Sequence, residues 1–404
     1  MKDMTRATHS GRVPENQAGI VNPPVYHAST ILFPTMETLR DSRRVRSGDG
    51  MTYGVHGNPG TFALEHALAS METDEDMAAS GAVRTRLCNS GLQAVTMPML
   101  CCTKAGDHVL VPDNCYGPTR TFGDGMLKRL GVTVEYYDPL IGGEIRSLMR
   151  PETTMVLVEA PGSWTFEMQD IPAIAEEAKK RGAVVMMDNT WASPLYFRAF
   201  DHGVDVSVQA ITKYVGGHSD LVMGSVTATR DVYDAMIQPG WKELGLCASP
   251  DDAFLAMRGL RSLPVRLKAH WEGGLRVGDW LLSRPEVAEV LHPAMPHDPG
   301  HALWARDFRG STSLFAFTLD ERYGSDACLS ALLDELTLFG MGFSWGGFES
   351  LLIPIYPQRL RTATAWPKPG RPRGQTMRIH IGLEDPEDLI ADLEAGFARM
   401  RAAA

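Results

Sequence analysis

The chain has 404 residues, 44% hydrophobic and 22% charged, enough apolar content for a sizeable core and too much for global disorder. A formal net charge of −10 argues against nonspecific nucleic-acid binding, which needs a basic face. No apolar run reaches membrane-spanning length, Met1 to Arg12 carries no apolar leader, and the six cysteines include no C-x-x-C pair, so a cytoplasmic protein acting on small molecules is expected, with no membrane partner.

Residues 1–60 are rich in Pro, Gly, Ser and charge and cannot bury much alone, so they are expected to lie over another surface, such as a neighbouring subunit. Apolar positions 64, 67, 68 and 71 then mark a helix from Thr61 to Met71. From Leu87 onward short apolar strands alternate with helical runs. Strands are predicted at 109–111, 132–137, 155–159, 183–188, 204–211 and 222–229, and helices at 91–102, 119–130 and 171–181. Near-continuous apolar strands alternating with helices predict a mostly parallel sheet covered on both faces. Long helices follow at 251–260 and 263–282. A smaller α+β region completes the chain, with strands at 314–319 and 377–381 and helices at 328–338 and 386–400. The expected organisation is an extended segment over 1–60, a large α/β domain over 61–255 and a smaller domain over 256–404.

The chemistry-bearing residues gather at predicted strand ends, where ligands of such sheets bind. Lys213 follows an apolar run and precedes a glycine pair, in Thr212-Lys-Tyr-Val-Gly-Gly217. An isolated lysine is ordinarily solvated. One at the edge of a core has a lowered pKa and a free amine able to attack a carbonyl. Asp188 ends the strand before it, where a buried carboxylate needs a partner; a protonated ring nitrogen or a helix cap would each serve. Ser90-Gly91-Leu92 opens a helix, a place for phosphate as well as for a plain Ser cap. Tyr116, on a loop after a strand, can stack on a planar ring. No Gly-rich dinucleotide fingerprint, P-loop or metal-ligand spacing of histidines occurs. An amine, an acid, an aromatic platform and an anion end together describe a pyridoxal phosphate site.

At these residues the sequence resembles the Cys/Met-metabolism group of fold-type-I pyridoxal phosphate enzymes, and within it the bacterial cystathionine β-lyase branch. The likeness runs from Val21-Asn-Pro-Pro24 through Asp188-Asn-Thr-Trp191, Gly217-His-Ser-Asp220 and Ser344-Trp-Gly-Gly-Phe-Glu-Ser350 to Arg378-Ile-His-Ile-Gly-Leu-Glu-Asp385. The Pro-Gly-Ser form of Glu159-Ala-Pro-Gly-Ser163 and the pair Ser344-Trp345 favour that branch over its γ-acting relatives.

The resemblance implies a mostly parallel sheet of seven strands with a smaller C-terminal α+β domain, and that Lys213 carries the cofactor and moves protons. It implies that Asp188 pairs with the pyridinium nitrogen and that Tyr116 stacks on the ring. Ser90, Gly91, Leu92 and Thr212 would hold the phosphate, with Tyr53 reaching it from an adjacent subunit. Arg378 would clamp the substrate carboxylate, assisted by Ser344 and Trp345. The implied reaction cleaves L-cystathionine or a related cysteine thioether to a thiol, pyruvate and ammonia, in transsulfuration for methionine biosynthesis. Lys213 is the expected proton donor to sulfur, with Tyr116 and Tyr53 as alternatives. The implied assembly is a homotetramer of dimers that share active sites. Cystathionine γ-synthase or γ-lyase chemistry is the nearest alternative, and a cofactor-binding protein without lyase activity a more distant one. One departure stands out. The family's arginine two residues after Tyr53 is here Val55, with His56 beside it.

Overall fold

The computed structural model describes residues 1–42 and 50–404. Of the expected N-terminal segment 1–60, residues 43–49 therefore lie outside the described part. Seven strands form the larger sheet: β1 (Val83–Cys88), β2 (His108–Pro112), β3 (Thr133–Tyr137), β4 (Thr153–Glu159), β5 (Val184–Asp188), β6 (Val206–Gln209) and β7 (Gly224–Thr229). Their order is β1-β7-β6-β5-β4-β2-β3, and only β7 runs against the rest.

The pattern of these strands follows from two buried faces. On β4, Val156 and Val158 pack with the helix Ile171–Lys180, while Met155 and Leu157 pack with the helix Gly91–Cys101 on the opposite side. Both faces are apolar, so the strands read as nearly continuous hydrophobic runs. The active end is where they stop. Glu159 and Asp188, the last residues of β4 and β5, stand side by side in register.

A second sheet, β10-β11-β9-β8, is antiparallel throughout: β8 (Val287–Leu291), β9 (Leu314–Leu319), β10 (Leu351–Ile355) and β11 (Thr376–His380). The predicted seven-stranded sheet and smaller α+β region are both present. Strands β1, β8 and β10 escaped prediction. β10 contains Pro354, which argues against a strand except at an edge, and β10 is an edge.

The two helices expected at 251–260 and 263–282 are one helix, Pro250–Leu282, continuous through Pro264. An interior proline costs about 3 kcal/mol. Met257, Leu260, Leu263 and Leu267 lie at helical spacing and are buried in one core, each worth roughly 1.5–3 kcal/mol on burial. Packing therefore outweighs the break. The expected boundary between 255 and 256 falls inside this helix. No helix among the described residues is long and apolar enough to cross a membrane, and no metal-binding cluster occurs among them.

Candidate active site

The expected strand 204–211 is shorter than its apolar run. β6 ends at Gln209, and the chain turns, with Lys213 N–H donating to the Ala210 carbonyl at 3.0 Å. Lys213 therefore sits on a loop, and the long helix holds that loop rigid. Arg266, from the helix, donates to the carbonyls of Tyr214 (2.7 Å) and Val215 (3.2 Å). Gly259 lets the two backbones touch, since a Cβ there would lie 2.3 Å from the Val215 carbonyl oxygen and 2.4 Å from that of Gly216.

Lys213 lines a cavity of about 270 Å³ together with Ser90, Gly91, Leu92, Tyr116, Glu159, Asp188, Thr190, Thr212, Trp345 and Arg378. Its Nζ donates to Ser344 Oγ at 2.8 Å and lies 5.1 Å from the Trp345 ring centroid. Burial lowers the amine to about 8; Arg378 assists and Asp188 opposes. A lysine at that value exchanges its proton near neutrality.

On the strand-end side, Asp188 Oδ1 accepts from Thr190 N–H (3.0 Å) and Thr190 Oγ1 (2.6 Å), and Thr190 Oγ1 also accepts from Ala210 N–H (2.9 Å). Asp188 Oδ2 has no hydrogen-bond partner among the described residues. Burial raises the Asp188 carboxyl, against the Thr190 bonds and Lys213. Its neighbour Glu159 is pushed up to about 8 by burial and by Asp188. Glu159 accepts the Tyr116 amide at 2.8 Å and so sets the position of that tyrosine. Burial, then Asp188 and Glu159, raise the Tyr116 phenol, which keeps its proton.

Ser90 caps the helix Gly91–Cys101, its Oγ accepting from Gln93 N–H at 3.1 Å. The Gly91 and Leu92 amides have no partner among the described residues, and both residues line the cavity. Free amides at a helix start suit an anion. Thr212 lies in the same wall, but its hydroxyl is engaged with the Met223 backbone, donating to the carbonyl (3.2 Å) and accepting from N–H (3.0 Å).

The second sheet supplies the opposite wall. Arg378 Nη2 donates to the carbonyls of Gly342, Phe343 and Ser344 at 3.0–3.1 Å, which leaves the rest of the guanidinium for a ligand. Burial lowers Arg378 to about 10.

Tyr53 is not brought to this cavity. It is half exposed and lines a separate cavity of about 190 Å³ with Val55, Trp241 and Cys247. His56 Nδ1 is bonded to Thr52 Oγ1 at 2.8 Å. Sequence reading assigned no role to Glu159 or Thr190. The signal for Glu159 was available, because it ends an apolar strand as Asp188 does.

An acid with an open oxygen, a lysine of lowered pKa, unbonded amides at a helix start and a tyrosine on a fixed loop fit pyridoxal phosphate, and with this fold they define a fold-type-I enzyme of that cofactor. The model of the Cys/Met metabolism PLP-dependent enzymes matches residues 4–398, and the chain belongs to that family. It is 41% identical over 400 residues to a cystathionine β-lyase of Bordetella avium, covering 98% of this chain and 97% of that one. It is 38% identical over 404 residues to the cystathionine β-lyase MetC of Escherichia coli K12, covering 98% of both. An L-alanine/L-glutamate racemase of Wolbachia pipientis wMel is also 38% identical, over 409 residues, covering 99% of this chain and 98% of that one. Among solved structures, a cystathionine γ-synthase of Xanthomonas oryzae pv. oryzae superposes with a TM-score of 0.87 at 30% identity, covering both chains fully.

Proposed function

We infer that the chain is a pyridoxal phosphate-dependent carbon–sulfur β-lyase that cleaves L-cystathionine, or a related cysteine thioether, to homocysteine or another thiol, pyruvate and ammonia. The observation that carries this reading is Lys213 itself, an amine at about 8 bonded to Ser344 and set beside Trp345, in a chain whose relatives at 38–41% identity include cystathionine β-lyases.

The cofactor, when bound, supplies an electron sink for the pair left at Cα when its proton departs. Lys213 would hold it covalently, Asp188 Oδ2 would face its ring nitrogen, Tyr116 its ring face, and Ser90 with the Gly91 and Leu92 amides its phosphate. Arg378 binds the substrate carboxylate through the edge of its guanidinium not committed to the loop carbonyls; a planar fork suits this task. Lys213, freed by substrate, takes the Cα proton. The same amine then protonates the leaving sulfur. Tyr116 is the poorer donor, because its phenol is held above its ordinary value. Tyr53 lies outside the cavity of its own chain.

Tyr53 would act on the site of a neighbouring copy, in dimers that share active sites within a homotetramer. Its half-exposed ring and the exposed apolar side chains Leu32, Val222, Phe343 and Phe348 support this. Six free cysteines suit a reducing cytoplasm. Mixing inactive Lys213→Ala and Tyr53→Phe variants should restore activity through hybrid sites; no recovery in a mixed oligomer counts against sharing.

The reaction is tested by incubating the holoenzyme with L-cystathionine. Pyruvate with homocysteine is expected. Cysteine with 2-oxobutyrate would mean γ-elimination, and D-alanine formed from L-alanine without cystathionine cleavage would mean racemisation; either sinks the β-lyase reading. Borohydride reduction should label Lys213 alone.

A further inference from the structure

Arg378 and His380 are two residues apart on β11 and so share a face of the sheet. Arg378 holds the carbonyls of 342–344, and His380 meets the next turn of the same loop. The Gly346 amide donates to His380 Nε2 at 3.1 Å. Gly346 has φ +83°, and a Cβ there would lie 2.9–3.0 Å from Tyr214 N and the Lys213 backbone, so this loop rests directly on the lysine.

The proton on His380 can be placed from its partners. Ser313 Oγ donates to the Ile381 carbonyl at 2.5 Å, so toward His380 Nδ1, 3.1 Å away, it can only accept. Nδ1 therefore carries hydrogen. The Gly346 amide can only donate, so Nε2 is bare. The Gly347 carbonyl also lies 3.2 Å from Nε2, but bonding to it would need a proton there and would leave Gly346 without its acceptor. His270 completes the chain, with Nδ1 2.9 Å from the Ile381 carbonyl.

We propose that His380, as the neutral ring protonated on Nδ1, is a positioning residue that seats the loop Ser344–Gly347 on Lys213 and so sets the Ser344–Lys213 hydrogen bond. The charged and titratable groups around the ring are Lys213, Arg378, His270 and Tyr214. Arg378 is a cation, and the ring is 1% exposed, so its neutral form is the one the fold admits. The proposal rests on Lys213 being the cofactor-bearing amine. Borohydride labelling and product assay of the unmodified enzyme test that reading separately.

The test compares two holoenzyme variants. His380→Phe keeps a ring and loses both nitrogens; His380→Gln returns an acceptor near Nε2. The Phe variant should lower kcat/KM at least tenfold and move the pH midpoint of the holoenzyme's visible absorption change by half a unit or more. The Gln variant should recover most of both. A Phe variant with an unmoved midpoint, or a Gln variant as impaired as Phe, overturns the proposal and leaves a packing role only. If either variant fails to fold, nitrogen-15 histidine spectra of the unmodified enzyme decide. A proton on Nδ1 alone supports the assignment, and one on Nε2 or on both overturns it.

Discussion

The Lys213 cavity and the Tyr53–His56 loop are built in different ways. The cavity is lined within one chain by the ends of β4 and β5, the start of the helix Gly91–Cys101, the loop after β6 and Arg378 from the second sheet. Each side chain is held by another, as Asp188 is by Thr190, Tyr116 by Glu159 and Lys213 by Ser344. The loop contributes nothing to that cavity and presents Tyr53 outward. The difference separates two tasks. Under the proposed function, bond breaking would be organised inside the chain, and part of the hold on the cofactor would be left to a surface completed by a second copy.

The cavity side breaks most visibly at Lys213. Lys213→Ala should remove at least 10²–10⁴-fold of lyase activity, the range of a lost general acid–base, together with the borohydride label. Unfolding should remain cooperative, because the loop is held by Arg266 and Gly259 and not by the amine. An active Lys213→Ala enzyme would end the assignment. In the apoprotein, the reaction of Lys213 with a simple aldehyde should climb with pH through a midpoint near 8, below the ordinary lysine value of 10.5. Stability follows the same shift. Between about 8 and 10.5 the unfolded chain binds a proton that the folded chain does not, so this residue's contribution rises with pH across that window. The melting temperature of the apoprotein, compared with Lys213→Met, measures it.

A smaller loss is expected at Arg378. Arg378→Lys keeps the charge but cannot both hold three loop carbonyls and present a flat fork to a carboxylate. Losing charge-assisted bonds of about 1.5–3 kcal/mol corresponds to roughly 10–150-fold in kcat/KM. A loss in KM alone would assign Arg378 to substrate binding, and a shared loss in kcat would add the seating of the Ser344 loop.

Much of the cavity side was legible in sequence because it depends on local order. An apolar strand followed by a polar residue places Asp188, and the same pattern places Glu159. A Ser before a helical run places Ser90. Arg378 was legible only through family resemblance, since alone it is a charge on a short strand. The one-piece helix Pro250–Leu282 was not legible, because Pro264 is a strong local signal and the core that overrides it is assembled from distant segments. β10 was hidden by Pro354, whose tolerance depends on its edge position. The placement of Tyr53 outside its own chain's cavity was legible only through family resemblance, which set it against an adjacent subunit.

The loop side is sharpened by Val55→Arg. An arginine two residues after Tyr53 is the family pattern, and it should slow the loss of cofactor on dialysis by about tenfold, the lower end expected for one added charge-assisted bond. The lower end applies because the surroundings are already positive. Burial lowers the neighbouring His56, and Lys242 and Arg86 lower it further. That lowering also bears on whether His56 could serve in place of the missing arginine. A neutral imidazole whose Nδ1 is taken by Thr52 has one nitrogen left and no charge to offer a phosphate. Cofactor retention in Val55→Arg, measured alongside His56→Ala, separates the cases. Tighter retention in the first with no change in the second means that Val55 marks a gap. Unchanged retention in the first with a loss in the second would show that His56 fills the role, and that this loop is adapted to its neighbour and not weakened.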